Sequence, residues 1–244
     1  MSDKLSFGKG NAKLGKTIIT FSLPAGKTCP FAKDCKAEVK VDADNKRHIV
    51  RAQNAKFQCF AATSEAMYET TYKSRKENLE LLLAAADKKD GMKELIKNSL
   101  PKKFDKCRIH VSGDFFSQDY LKAWIAVASE MPDKVFYAYT KSVRYILKEK
   151  DSIPNNLVIT CSLGGMDDKL AIDNNLKRVK VYFHPDDAKK DNVDIDHDDS
   201  LAVDPNVKVF GLLLHGMQAK DSDAAAALSR LRKEKIKFSY SSKK

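Results

Sequence analysis

The sequence predicts an α/β fold in which mostly parallel strands form a partial (β/α) barrel. The first observation is a series of short β-branched and aromatic runs that recur at intervals of roughly 20–25 residues. The second is that helical patterns lie between these runs, which is typical of strand–helix–strand units. Because strands joined by helical crossovers run in one direction, the alternation predicts a mostly parallel sheet.

Residue propensities and helix-ending prolines place each element in turn. β-branched and aromatic residues predict strands at residues 17–23, 108–112, 135–139, 157–161, 178–183, 207–214 and 236–240. Apolar residues at helical spacing predict helices at residues 63–87, 92–100, 120–131, 143–150, 168–174 and 223–233. Pro101 and Pro132 end the second and third of these helices, because proline cannot continue a helix.

The chain is predicted to form one α/β domain over residues 17–244, after a flexible leader at residues 1–16. A long loop at residues 24–60 follows the first strand. Within it, residues 38–41 and 48–50 are predicted to pair as a small hairpin. Loops of this length are usually functional or disordered, so this one is a candidate for the functional part of the chain.

The net charge of +11 is unevenly distributed, because residues 1–110 hold 23 Lys/Arg and 13 Asp/Glu whereas residues 111–244 hold 21 and 20. This asymmetry indicates an anionic partner such as nucleic acid or a cofactor, although scattered lysines also keep a surface soluble. No apolar run approaches the roughly 18–20 residues that span a membrane, and the N-terminus lacks a secretory signal. We therefore expect a cytoplasmic protein without membrane contact, whose cysteines are free thiols or metal ligands.

Three of the five cysteines, Cys29, Cys35 and Cys59, lie on the long loop after the first strand. In parallel α/β proteins, the loops at the carboxyl ends of strands carry the functional groups. Three soft thiolates with one open coordination position suit an iron–sulfur cluster or a zinc ion. Cys107 and Cys161 belong to strand regions and are expected to be small buried hydrophobes.

Small and polar residues end three further strands at the same predicted edge. They are Ser112, Gly113 and Asp114 after the second strand, Thr140 and Lys141 after the third, and Ser162 after the fourth. Gly113 would let main-chain atoms approach a ligand closely, and Asp114 could accept hydrogen bonds from an ammonium group. Each residue taken alone is also an ordinary turn residue, but the set predicts a binding crevice.

The order of these groups resembles the core of radical S-adenosylmethionine enzymes. In that superfamily a cysteine loop carries a four-iron four-sulfur cluster, and a Gly-Gly-Glu-like turn holds the methionine amino group. A narrower resemblance is carried by Cys59-Phe60-Ala61, Arg75-Lys76-Glu77-Asn78, residues 108–116 with Tyr120 and Trp124, and residues 136–142. Through these stretches the chain, over roughly residues 11–145, also resembles phage proteins called the gene product 88 family.

The wider resemblance implies that Cys29, Cys35 and Cys59 hold a four-iron four-sulfur (4Fe-4S) cluster. Their spacing departs from the compact spacing of the superfamily, with five and then twenty-three intervening residues. The resemblance also implies a binding site for S-adenosylmethionine. Its residues would be Gly113, Asp114 and Ser112 at the amino group, Ser162 near the ribose, and Thr140 and Lys141 near the carboxylate or the substrate.

Two functions follow from these observations. The first is an iron–sulfur enzyme that reductively cleaves S-adenosylmethionine and acts on an unidentified substrate. The second is a basic phage accessory protein that binds nucleic acid through its N-terminal half, with zinc or no metal at the cysteines. The chain shows no regular interleaving of aromatic and basic residues, which favours the first function.

Four further groups of residues have a structural interpretation, a functional one or both. Met67, Tyr68 and Tyr72 are spaced as a packing stripe on a helix, and the acidic run at residues 194–199 is predicted to be a solvated loop. His110 is expected to be a hydrogen-bonded core residue or, inside a barrel, a residue that points toward the site. His215 follows a strand and is a candidate for the mouth of the site.

Overall fold

The computed structural model describes residues 3–10 and 17–238, in which nine strands and nine α-helices form. The strands are β1 (Gly8–Lys9), β2 (Ile18–Ser22), β3 (Ala37–Val41), β4 (Arg47–Arg51), β5 (Lys106–Ser112), β6 (Val135–Thr140), β7 (Leu157–Ser162), β8 (Arg178–Tyr182) and β9 (Val209–Leu213). The helices are α1 (Phe60–Met67), α2 (Glu69–Ala86), α3 (Gly91–Ser99), α4 (Gln118–Ser129), α5 (Val143–Glu149), α6 (Asp168–Asp173), α7 (Pro185–Lys190), α8 (Ser200–Val203) and α9 (Asp223–Lys233).

Seven strands form one sheet in the order β1-β2-β5-β6-β7-β8-β9. Strand β1 is antiparallel to β2, and the five remaining neighbour pairs are parallel. From β2 to β9 the order follows the chain without reversal, so every crossover steps in the same direction. The predicted α/β class with mostly parallel strands is therefore confirmed. Within the described residues the sheet stays open, with β1 and β9 as its edges.

The two faces of this sheet are covered differently. On the first face, α2, α3, α4 and α5 pack over the largest apolar core, where Phe21, Ile109 and Trp124 are fully buried. On the second face, Tyr137, Phe210 and neighbouring strand residues pack against the short helix α8. Residues at alternate positions of a strand point to opposite faces, and β2, β6 and β7 contribute side chains to both cores.

Part of the segment predicted as a flexible leader packs on the domain. Leu5 is buried, and its N–H donates to Ser99 Oγ at 2.9 Å. The Asn78 side chain accepts from the Ser6 N–H at 2.7 Å and donates to the Ser22 carbonyl at 3.1 Å. These bonds attach strand β1 to the edge of the sheet. Residues 1–2 and 11–16 of the predicted leader lie outside the described residues.

Two predicted elements differ in the structure. The helix predicted at residues 63–87 is divided into α1 and α2 by Tyr68, whose backbone is extended (φ −116°, ψ 112°). The strand predicted at residues 236–240 does not form over residues 236–238, and residues 239–240 lie outside the described part. There, Ile236 and Phe238 pack against apolar side chains of the sheet without joining its ladder. In the described ranges, every helix is too short or too polar to traverse a bilayer.

The predicted hairpin within the long loop is confirmed as β3 and β4, which pair from Ala37↔Arg51 to Val41↔Arg47. The Ala52 N–H donates to the Lys36 carbonyl at 2.9 Å and closes the base of the hairpin. One side of the hairpin packs against α1 and Cys59 in a small apolar cluster. The hairpin therefore supports the third cysteine of the candidate site.

Candidate metal and cofactor site

Three free thiols lie near one another at the carboxyl edge of the parallel strands. Cys29 and Cys35 lie on the loop after β2, and Cys59 is the residue that precedes the first turn of α1. Burial is the main cause that raises the pKa of all three thiols, with the pKa of Cys59 at about 11. Cys35 and Cys59 each raise the pKa of Cys29, so the thiols are near enough to repel one another once ionised.

One cation and one carboxylate act on these thiols from neighbouring strand ends. The ammonium of Lys141 lowers the pKa of Cys35 against the larger effect of burial, whereas Asp114 raises it. Asp114 also raises the pKa of Cys29. Three neighbouring thiolates beside a carboxylate carry a large negative charge, which one ammonium cannot balance. A bound metal centre would supply the missing positive charge.

Hydrogen bonds hold the cysteine loop in a defined shape. The Lys36 ammonium donates to the carbonyls of Gly26 and Cys29, both at 2.7 Å. The N–H groups of Lys33 and Asp34 donate to the Gly164 carbonyl at 3.2 and 2.9 Å. The loop is therefore tied to the end of β7, so that Cys29 and Cys35 do not depend on their own segment alone.

Phe31, between these two cysteines, is anchored in an aromatic and cationic contact. The Arg144 guanidinium lies 4.2 Å from the centre of the Phe31 ring, and the Tyr145 ring packs edge-on at 5.2 Å. Arg144 also forms two 2.7 Å hydrogen bonds to the Asp167 carboxylate. Helix α5 therefore fixes the middle of the cysteine loop.

Gly113, at the end of β5, is packed directly under the cysteine loop. Its φ is +85°, and a Cβ atom there would lie 2.5 Å from Thr28 Oγ1 and 2.7 Å from Leu23 Cβ. Only glycine allows β5 and the start of the cysteine loop to approach this closely. The packing of the cysteine loop thus requires glycine at position 113, and the predicted role of Gly113 at a ligand stays a prediction.

Gly113→Ala is expected to lower the free energy of unfolding by about 2–4 kcal/mol through backbone strain and this clash. Gly164→Ala is the matched control, because Gly164 also has a positive φ (+94°) but its nearest contact would be 3.1 Å. Urea unfolding of both variants measures the difference. An equal loss of unfolding free energy in the two variants would show that the close packing at Gly113 does not contribute to stability.

Asp114 joins the ends of β5 and β6. Its carboxylate accepts hydrogen bonds from Thr140 Oγ1, from the Lys141 N–H at 2.7 Å and from the Phe115 N–H at 2.7 Å. The carboxylate is buried, which raises its pKa to about 6. These three donors occupy most of the lone pairs of the Asp114 carboxylate. The predicted contact with an ammonium group would use the remaining lone pair.

Lys141 and Ser162 join the ends of β6 and β7. The Lys141 ammonium donates to Ser162 O at 2.9 Å, to Ser162 Oγ at 3.0 Å and to Leu163 O at 2.8 Å. The predicted site residues therefore lie side by side along one edge of the sheet. In the described structure they hold the strand ends together.

Ser112 belongs to a buried charge network that sequence reasoning did not find. Its hydroxyl donates to Glu65 Oε1 at 3.2 Å, and the same oxygen accepts from the Ala25 N–H at 2.8 Å. Arg75 completes the network with a 2.8 Å ion pair to Glu65 and a 2.9 Å hydrogen bond to the Ala61 carbonyl. Helix α1, which begins after Cys59, is thereby locked to the cysteine loop and to β5.

A cavity of about 580 Å³ opens beside the thiols on the second face of the sheet. Cys35 and Cys59 line one wall, and strand residues Arg108, Val111 and Tyr139 line the floor. His215 lies at its mouth, as predicted, and its ring packs against Phe60 with 4.9 Å between centres. The volume is sufficient for a cofactor or substrate of drug-like size.

Asp199, at the floor of this cavity, was predicted to lie in a solvated loop. It is instead 2% exposed and accepts hydrogen bonds from Arg108 at 2.7 Å and from Tyr137 Oη at 3.1 Å. The Arg108 guanidinium also lies 5.0 Å from the centre of the Tyr139 ring. The prediction failed because Arg108 and Asp199 are 91 residues apart, and an acidic run alone does not identify its partner.

His110 does not point into the cavity. Its φ of +66° lies in a register shift between β2 and β5, and its Nε2 is 3.1 Å from Tyr120 Oη on the helical face. Burial lowers the pKa of His110 to about 3, so the ring is neutral. Cys107 and Cys161 are buried among apolar residues, in agreement with their predicted packing role.

The three thiols have the ligand chemistry of two kinds of metal centre. Three cysteine thiols provide the soft ligands of an iron–sulfur cluster or of zinc. Among residues 3–10 and 17–238, no three His, Cys, Asp or Glu side chains are arranged to hold one metal ion. A cluster distributes its thiolates over separate iron atoms, whereas tetrahedral zinc requires them around one atom. By ligand type the three thiols suit either group, and the described residues do not decide between them.

Comparison with known proteins places this chain in a family. Residues 3–234 match the sequence profile of the family described as Gene product 88. The Gene 88 protein of Mycobacterium phage D29 is 44% identical over 52 residues, which is 21% of this chain and 20% of that relative. No solved structure matches the chain. Because the profile covers nearly the whole sequence, the chain belongs to the Gene product 88 family.

Proposed function

We propose that this protein is an iron–sulfur enzyme of the radical S-adenosylmethionine type. The observation that carries the proposal is that three thiols from two segments lie near one another at the carboxyl edge of a parallel sheet, with Cys35 and Cys59 on the wall of a cavity. The one-way strand order, which a partial (β/α) barrel shares, supports the same interpretation. We expect the activity in the cytoplasm of an infected bacterium.

In this proposal, Cys29, Cys35 and Cys59 hold a 4Fe-4S cluster that has one position open to a ligand other than the protein. A cluster held there would pass one electron from an external reductant to the sulfonium of S-adenosylmethionine, and cleavage of the carbon–sulfur bond would start hydrogen abstraction from a substrate. The chain contributes position and shielding from water. The cysteine loop fixes the thiols, and the buried strand ends keep bulk solvent from the reacting groups.

The strand-end residues would hold S-adenosylmethionine next to the thiols. Gly113 would let main-chain carbonyls approach the amino group of S-adenosylmethionine, with Ser112 and Asp114 beside them. Lys141 and Ser162 offer polar groups at the next strand ends, as the resemblance implies for the carboxylate and the ribose. Thr140 acts through Asp114, because its hydroxyl donates to that carboxylate.

The proposal is tested by anaerobic reconstitution with iron and sulfide, followed by iron, sulfide and zinc analysis. We expect about four irons per chain, and a brown colour that Cys29→Ala abolishes. Cys107→Ala is the matched control, because Cys107 is buried in the core away from the loop and should not change the iron content. Addition of S-adenosylmethionine should then alter the electron paramagnetic resonance spectrum of the reduced cluster.

Two results would contradict the proposal. One is a single zinc ion per chain that excludes iron, which would assign the thiols a structural role. The other is iron content that Cys29→Ala leaves unchanged, which would mean that iron binds elsewhere. Folding of each variant, followed by circular dichroism, separates loss of a ligand from loss of the fold.

A further inference from the structure

The mouth of the cavity exposes large apolar side chains. Phe60, Met67 and Tyr68 line it from α1 and its end, and they are 46%, 52% and 56% exposed. Met217 faces them from the segment after β9 and is 55% exposed. Met67 and Tyr68 were predicted to pack inside the protein, and this prediction is wrong. A contiguous group of exposed apolar residues around a cavity indicates a binding surface.

The Phe60 ring is held in place although nearly half of it is exposed. Gly216, with φ +81°, leaves room for the ring, because a Cβ atom there would lie 2.8 Å from Phe60 Cδ2. The His215 ring packs against Phe60 with 4.9 Å between centres. An aromatic ring fixed in this way loses little conformational entropy when a ligand stacks on it.

One basic residue of the β3–β4 hairpin, Arg47, lies near the mouth, and the segment around it is basic overall. Residues 24–59, which carry this hairpin, hold eight Lys/Arg and four Asp/Glu. Arg47 Nε donates to the Ala66 carbonyl at 3.2 Å, which places its guanidinium next to the end of α1 and so near Met67 and Tyr68. A ligand that enters between the rings therefore passes a cationic side chain.

We propose that this mouth binds an unpaired nucleobase of single-stranded nucleic acid as the substrate. The base would stack on Phe60 and a neighbouring base on Tyr68, while Arg47 contacts a phosphate. The inference rests on the proposed function, in which the cavity is the substrate site. A flat apolar ring joined to a phosphate matches both the aromatic mouth and the basic hairpin, whereas an apolar peptide matches only the mouth. A base within a duplex has both faces covered and cannot stack in this way.

Fluorescence anisotropy with a labelled single-stranded oligonucleotide of about 16 nucleotides tests the inference. The metal-free protein is used, so the result does not depend on the cluster or on turnover. We expect Phe60→Leu and Tyr68→Leu each to weaken binding about tenfold, because leucine keeps apolar area but removes the π-face. Phe60→Tyr and Tyr68→Phe should stay within about twofold of the parent. Arg47→Gln should lower the salt dependence by about one phosphate contact.

Ile172→Ala is the matched control, because Ile172 is 50% exposed on α6 and does not line the cavity. Its affinity should equal that of the parent. Equal binding of the leucine variants and the parent would overturn the inference, as would equal affinity for duplex and single strand. Tighter binding of a free mononucleotide than of the strand would also overturn it. Failure of iron binding with strand binding intact would reject only the proposed enzyme activity.

Discussion

Replacing Arg75 by methionine is expected to lower the free energy of unfolding by about 3–5 kcal/mol. Arg75 forms a 2.8 Å ion pair with Glu65, whose side chain is 2% exposed. Without the guanidinium, a buried carboxylate retains only neutral donors from Ala25 and Ser112. The cost of an uncompensated buried charge exceeds that of most core substitutions.

Urea unfolding of the metal-free protein measures this effect. Lys76→Met is the matched control, because Lys76 is the exposed neighbour of Arg75 on α2 and should change stability by less than about 0.5 kcal/mol. The double variant Glu65→Leu/Arg75→Met should recover much of the loss, because it removes both charges. A cost below about 1 kcal/mol for Arg75→Met would show that the ion pair is not critical.

Asp114→Asn is expected to remove a pH dependence of stability worth about 3 kcal/mol. Burial raises the pKa of Asp114 from 3.8 to about 6 in the folded protein. Between these values the folded state keeps a proton that the unfolded chain has lost. The stabilisation by this group is therefore complete below about pH 4 and is lost as the pH rises through about 6. Asparagine does not titrate, so its stability profile lacks this decrease.

The difference between the two unfolding profiles, from about pH 4 to about pH 7, isolates Asp114 from the other titrating groups. Asp173→Asn on α6 is the control for the substitution itself, because that carboxylate is half exposed and lies on the protein surface. Parallel profiles for Asp114→Asn and the parent would mean that Asp114 is ionised throughout the range.

Local signals were sufficient to predict most strands and the edge where the candidate site lies. The β-branched run Ile18-Ile19-Thr20 forms β2, and Pro101 follows the end of α3 as expected. Parallel strands end at a common edge, so the groups after β2, β5, β6 and β7 could be expected to meet. The structure brings together the thiols and the polar strand ends that this reasoning selected.

Contacts between distant segments were not predictable from local patterns. Glu65, Arg75 and Ser112 come from two helices and a strand, and no spacing rule joins them. The helix break at Tyr68 has no proline or glycine signal, so the exposure of Met67 and Tyr68 was missed. At the register shift between the two strands, β5 has two residues more than β2. This bulge turns the His110 side chain away from the cavity, an orientation that strict alternation along a strand does not predict.

The hydrogen bond between Lys36 and Ala52 at the base of the β3–β4 hairpin shows that the twenty-three residues between Cys35 and Cys59 do not measure their separation in space. The chain leaves and re-enters the site at nearly the same point, so residues 37–51 add length to the sequence without separating Cys35 from Cys59. Substitution of a short turn for this hairpin would keep both thiols at this point of the chain, but without the apolar packing of the hairpin on α1 and Cys59. A sequence search that fixes the distance between cysteines would reject chains of this design, whereas one that allows an optional hairpin would find them.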